Sequence, residues 1–217
     1  MVNESIVVTY VQGCCQCSPA PLNKKQRLII FSPSPGLCIE PNPEYWLDLA
    51  RRRCTVVGAV VGEQRLQEVE FVLARKEYGG IVGFDNSVNI RRKRRSFFTV
   101  PLVEVLERNE VPAVIDYLSL DIEGAEWFVM QHFPFERYTI RILTIERPPP
   151  ELQALLQQKG YILLKMLTDF GETLWVHSQF QHQLHVKALD SFALPDQEVE
   201  RKNLELMNYV EIQKSKE

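Results

Sequence analysis

Asp121, Glu123 and Glu126 crowd three carboxylates into the string Ile115-Asp-Tyr-Leu-Ser-Leu-Asp121-Ile-Glu123-Gly124-Ala-Glu126. Acids at that spacing repel one another, so a packed domain keeps them for a ligand, a metal or an organising hydrogen-bond network. Beside a bound hydroxyl, one of them can accept a proton or orient the attacking oxygen. A purely structural use, acids at the start of a helix beginning near Gly124, stands beside that reading. A further carboxylate, Glu40, lies in Gly36-Leu-Cys-Ile-Glu40-Pro41-Asn42-Pro43. An acid so placed can accept hydrogen bonds from both hydroxyls of a ribose.

The elements that must position these groups follow from the flanking residues. Ile115, Leu118, Leu120 and Ile122 form the near-continuous apolar run of a strand buried on both faces of a parallel sheet. Asp121 then sits at a strand's carboxyl end, where open parallel sheets bind ligands. Gly36 to Glu40 reads as a second short strand ending on an acid, with Asn42 as N-cap and Pro43 as first helical residue. The helix after it is expected to pack Trp46, Leu49, Ala50 and the stem of Arg53 at helical spacing.

GLCIEPNPEYW, VPAVIDYLSLDIEGAEW and IRILTIER, in that order between Gly36 and His177, resemble the FkbM-type methyltransferases. The resemblance implies an α/β fold with a Rossmann-like class I methyltransferase sheet, helices on both faces and a C-terminal β-hairpin. It implies S-adenosylmethionine as cofactor and a small-molecule hydroxyl acceptor, a sugar or other natural product. On this chain it implies a cofactor site of Glu40, Pro41, Asn42, Ala59, Val60 and Asp121. The strand end Gly58-Ala-Val-Val-Gly62 offers no acid to the adenine, only backbone and apolar contact. Asp121 is the first choice for general base or orienting acid, and Glu123 the second. Glu146 could join Asp121 in a weak divalent-metal pair of oxygen ligands.

One family element has no counterpart. Its first strand normally runs into an acidic, glycine-rich loop whose bare backbone admits the methionine end of the cofactor. Here Arg27-Leu-Ile-Ile-Phe31 is followed by Ser-Pro-Ser-Pro-Gly and then at once by Leu37. A parallel crossover needs about a dozen residues or more. The first strand therefore lies upstream of Met1, or it has been lost, leaving a gap or Arg27–Phe31 as a substitute strand. The chain as written is expected to show no S-adenosylmethionine binding below about millimolar concentration.

The 217 residues, with 25 basic and 28 acidic side chains, fit one ordinary globular domain and favour neither nucleic acid nor membrane as partner. The opening Met1-Val-Asn-Glu is unlike a signal peptide and no run is long enough to span a membrane, so a cytoplasmic protein is expected unless a targeting segment lies upstream. The five cysteines, Cys14, Cys15, Cys17, Cys38 and Cys54, form no disulfide framework by number or spacing. Reduced thiols are the simpler reading, and Cys14–Cys17 lacks the paired ligands of a zinc site.

Between the two acidic strands, Thr55 to Val61 is expected as one strand, Gln67 to Ala74 as an added edge or hairpin strand, and Gly79 to Asn86 as a lid-like loop. Arg91-Arg-Lys-Arg-Arg95 could bind nucleic acid but lacks interleaved aromatics, so a solvated loop is preferred. Pro101 opens a helix with Leu102, Val105 and Leu106 on one face; Trp127, Phe128 and Met130 pack the helix after Gly124. Glu126 is expected to cap its own helix, and His132 and His177 to be structural or solvated. Ile140 to Glu146 is a strand, Glu151 to Lys159 a helix closed by Gly160, and Tyr161 to Leu167 with Thr173 to His177 a hairpin. The chain divides into an atypical segment 1–35, a methyltransferase-like domain 36–180 and a peripheral tail 181–217. Two other classes stay open: a pseudoenzyme or interaction module keeping the scaffold, and a nucleic-acid binder using Arg91 to Arg95.

Overall fold

The structure, a computed structural model, describes residues 6–9, 36–51, 54–73, 79–84 and 94–183. The Cys14–Cys17 cluster, Arg27–Phe31, Arg91–Lys93 and the tail beyond 183 lie outside the described residues. Within them the architecture is mixed α/β, two sheets with few helices. No described helix is long and apolar enough to cross a membrane.

The larger sheet has seven strands in the order β10-β11-β9-β8-β1-β2-β3. They are β1 (Ile6–Thr9), β2 (Gly36–Ile39), β3 (Cys54–Val57), β8 (Val114–Leu120), β9 (Thr139–Glu146), β10 (Tyr161–Met166) and β11 (Glu172–His177). The apolar runs behave as read: Ile115, Leu118 and Leu120 of β8 and Ile140, Leu143 and Ile145 of β9 are fully buried, and the two strands run parallel. β2 and β3 form a second parallel pair. The terminal hairpin is present as β10 and β11, antiparallel to each other and joined to β9 through β11.

Between the two parallel pairs sits β1, antiparallel to both neighbours, with Val7 opposite Cys38 on one side and Ser119 on the other. Ile6–Thr9 thus fills the slot between β2 and β8, which corrects the expectation of a gap there or of Arg27–Phe31 as its strand. Physically, either direction satisfies the backbone groups of β2 and β8, and an antiparallel entrant needs no crossover. Ile6 anchors it in the main core at 2% exposure.

The second sheet has the order β4-β7-β5-β6 and comprises β4 (Val60–Gly62), β5 (Glu68–Val72), β6 (Gly80–Ile81) and β7 (Arg94–Pro101). Thr55 to Val61 is therefore not one strand. It breaks at Gly58–Ala59, and its second half changes sheet to pair with β7. At the break Ala59 N–H donates to the Val57 carbonyl at 3.1 Å, and Gly58 leaves room for the Trp46 ring, which a Cβ there would overlap. β5 pairs with β7 and β6 on its two sides, so it is an inner strand rather than an edge. Gly80–Ile81 of the expected lid is strand, and Arg94 and Arg95 open β7 rather than lying in a loop. The Arg94 guanidinium donates to Glu70 Oε2 at 3.0 Å.

Four helices complete the described fold: α1 (Trp46–Ala50), α2 (Leu102–Arg108), α3 (Glu126–Met130) and α4 (Pro150–Gln158). Leu102, Val105 and Leu106 of α2 and Leu152 and Leu156 of α4 are buried as their spacing requires. In α1 only Leu49 is buried; Ala50 is exposed and Trp46 is 40% exposed, because five residues give one inward position.

Cys38 and Cys54 form a disulfide across β2 and β3, with Cα atoms 5.8 Å apart. The reduced-thiol reading is corrected for these two residues. Adjacent parallel strands bring together cysteines whose sequence spacing carries no such signal.

The central place of β1 has a measurable consequence. Ile6→Ala should cost about 2–4 kcal/mol in urea denaturation, the range for truncating a buried aliphatic side chain. A cost below about 0.5 kcal/mol, the surface range, would remove β1 from the core.

Candidate functional site

Glu40 is the first residue beyond β2, and three contacts fix its backbone and side chain. Its N–H donates to the Val57 carbonyl at 2.9 Å, its Oε1 accepts from Asn42 N–H at 2.7 Å, and its carbonyl accepts from Trp46 Nε1 at 2.8 Å. Asn42 caps the following 3₁₀ turn, Pro43–Tyr45, its Oδ1 accepting from Glu44 N–H at 3.1 Å. The N-cap expected at Asn42 is therefore in place, with Pro43 at the first position of that turn. Glu40 is 2% exposed, and its Oε2 has no hydrogen-bond partner among the described residues. Burial pushes the carboxyl up to about 8, opposed by the Asn42 N–H.

Asp121 and Glu123 occupy the turn between β8 and α3. The turn uses left-handed backbone at Glu123 (φ 51°) and Gly124 (φ 90°), so the chain reverses within two residues. Glu126 holds it from beneath: its Oε1 accepts from the N–H groups of Ile122 at 3.2 Å and Gly124 at 3.3 Å. That corrects its expected role as a cap of its own helix alone. The α3 N-cap is Ala125, which has no side-chain cap, and Glu126 secures the turn before it. Its Oε2 is also buried with no hydrogen-bond partner among the described residues, and burial raises its carboxyl to about 7 against the pull of the turn's N–H groups.

Glu146, the last residue of β9, completes the cluster: single carboxylate oxygens of Asp121, Glu123 and Glu146 lie within 4.8 Å of one another. Three oxygen donors at that spacing suit a hard cation, but a protein cation already stands among them. Arg147 Nη2 donates to Glu123 Oε2 at 2.9 Å and to Glu146 Oε2 at 3.4 Å. From sequence Arg147 reads only as the end of a strand. An arginine directly after a strand-end acid was the available signal for its role.

Ile39, Pro41, Ala59, Val60 and Ile122 help to line an apolar cavity of about 40 Å³, with Ile6 of β1 in its wall. Space of that measure admits about three waters. The structure thus gathers Pro41, Ala59 and Val60 around one cavity beside Glu40, and Asp121, Glu123 and Glu146 into one cluster. The histidines lie elsewhere: His132 bonds Glu63 at an exposed position, and His177 packs edge-on against Tyr161.

Residues 29–171, well over half of the chain, match the family described as Methyltransferase FkbM domain. No curated protein and no solved structure matches it.

The two raised carboxyls make stability depend on pH in a defined sense. Each keeps its proton in the folded chain at pH values where the unfolded chain has lost it, so this stabilisation is complete below about 4.5 and lost as pH rises through about 7 for Glu126 and about 8 for Glu40. Melting temperature should fall between pH 5 and pH 8.5. Glu40→Gln, which keeps the shape and removes the titration, should flatten the slope by up to ~1.4 kcal/mol per pH unit. Identical slopes for the two proteins would show that Glu40 titrates as an ordinary surface acid.

Proposed function

The chain belongs to the FkbM methyltransferase family, and from that premise we propose that it transfers the methyl group of S-adenosylmethionine to a hydroxyl of a sugar or other small natural product. The observation that carries this reading is the unpartnered Oε2 of Glu40, buried at the carboxyl end of β2. A buried carboxylate oxygen without a donor is costly, and two ribose hydroxyls supply donors of the right kind. Their binding also favours the charged carboxylate, drawing its raised pKa down. Pro41 and Asn42 shape the loop around it, and Ala59 and Val60 offer apolar contact to the base. When bound, the cofactor supplies an electrophilic methyl carbon. Asp121 orients the acceptor hydroxyl or accepts its proton, with Glu123 beside it under the Arg147 guanidinium.

The described residues fit the ribose end better than the methionine end. β1 enters its slot antiparallel, with Ile6 level with Ile39. A parallel strand there would run into a loop and helix N-terminus able to receive the charged end of a cofactor. That observation favours a second reading, a methyltransferase scaffold serving as an interaction module without transfer.

Titration calorimetry with S-adenosylmethionine separates the two. If Glu40 holds the ribose, Glu40→Ala should weaken binding about ten-fold or more, the loss expected for charge-assisted hydrogen bonds. Equal affinity for both proteins would sink the assignment, and no binding by the natural chain up to millimolar concentration would select the scaffold reading. For a chain that binds and turns over, Asp121→Asn should lower methyl transfer about a hundred-fold or more with little change in cofactor affinity. Undiminished transfer would pass the role to Glu123 or Glu146.

A further inference from the structure

The Cys38–Cys54 disulfide closes a loop of sequence separation 16 that contains Glu40, Pro41, Asn42, the 3₁₀ turn and α1. Glu40 and Asn42, whose N–H holds the Glu40 carboxyl, thus lie in a segment tied off at both ends by one covalent bond. We propose that this disulfide is a redox modification site, at which a dithiol reductant opens the loop and lowers the order of the Glu40 carboxyl.

The two sulfurs are not equally placed. Cys38 is 1% exposed on a strand flanked by β1 and β3, whereas Cys54 is only partly buried on β3, the edge of the seven-stranded sheet. An incoming thiolate therefore reaches Cys54. It attacks the Cys54 sulfur, the Cys38–Cys54 bond breaks, and Cys38 leaves with the electron pair and takes a proton. The second thiol of the reductant then attacks the mixed disulfide, forms the reductant's own S–S bond, and releases Cys54, which is protonated in turn. Two electrons pass to the protein and the dithiol is oxidised.

The fold accommodates the reduced pair. The Cys54 sulfur lies 3.7 Å from the Leu49 carbonyl. As part of a disulfide it has no proton to donate there; as a thiol it does. Loop attachments outside the disulfide also persist, namely Glu40 N–H on Val57 and the Trp46 ring over Gly58. Reduction thus loosens the loop without unfolding the sheet. A cross-link around a loop of this length suppresses opening on the order of a hundred-fold.

The test uses the full chain without cofactor. Amide hydrogen exchange of residues 40–51 is followed by mass spectrometry with and without dithiothreitol, while alkylation and peptide mapping report the state of Cys38 and Cys54. Exchange should speed up by about ten- to a hundred-fold on reduction, recover on reoxidation, and stay unchanged in β8 and β9. Unchanged exchange after complete reduction would overturn the proposal, as would finding both cysteines free in the unreduced protein. Cys54→Ser should exchange fast and ignore the reductant; if it does not fold, the reductant titration of the natural chain decides alone. The link to cofactor rests on the reading of Glu40 given above. S-adenosylmethionine that binds more weakly only to the reduced chain supports the link, whereas absence of binding in both states counts against that reading and leaves exchange to judge the disulfide.

Discussion

Backbone pairing at the centre of a sheet is the constraint on which this fold depends. β2 and β8 each present a row of peptide groups toward the same slot, and burial makes any unpaired member expensive. Ile6–Thr9 pairs with the first row, and three of its residues, Val7–Thr9, pair with the second as well. Without them the other six strands would divide into β2-β3 and β8-β9-β11-β10, and two buried edges would face one another. The direction of the inserted strand is free in hydrogen-bonding terms but not in functional terms. An antiparallel strand sets its first residue, Ile6, at the end where Glu40 and Asp121 lie; a parallel one would set its last residue there.

The acids at that end show what burial does when partners are few. Glu40 and Glu126 each use one oxygen to hold local backbone, and the other finds no donor among the described residues. Glu123 and Glu146 instead share the Arg147 guanidinium. The carboxyl ends of these strands therefore carry both carboxyls biased toward the neutral form and carboxyls paired with a fixed cation. Such separated environments let neighbouring acids take different parts in one reaction.

Local chemistry was legible in the sequence, and distant chemistry was not. β8, β9, α2, α4 and the final hairpin follow from apolar runs and capping residues within a few positions of one another. Asn42 and Pro43 set the turn after Glu40 for the same reason. The assignments that failed each hinge on a partner far along the chain. Thr55–Val61 breaks where its second half leaves β2 to pair with Thr99–Pro101 of β7. Cys38 meets Cys54 because β2 and β3 are neighbours. The run Ile6–Thr9 is β-branched and short, and nothing in it names two strands from different halves of a sheet as its destination. Arg147 escaped because its meaning comes from Glu123, on a different strand's turn.

The place of β1 also imposes an order on synthesis. Its β2 partner follows it directly among the described strands, but its β8 partner, Tyr117–Ser119, comes about a hundred residues later. At ribosomal speeds of ~5–20 residues per second, the strand that closes the sheet waits roughly ten seconds for its second neighbour. During that interval one edge of a β-branched segment stays open to any other nascent strand. The stage most exposed to mispairing is thus the one between the synthesis of β1 and that of β8.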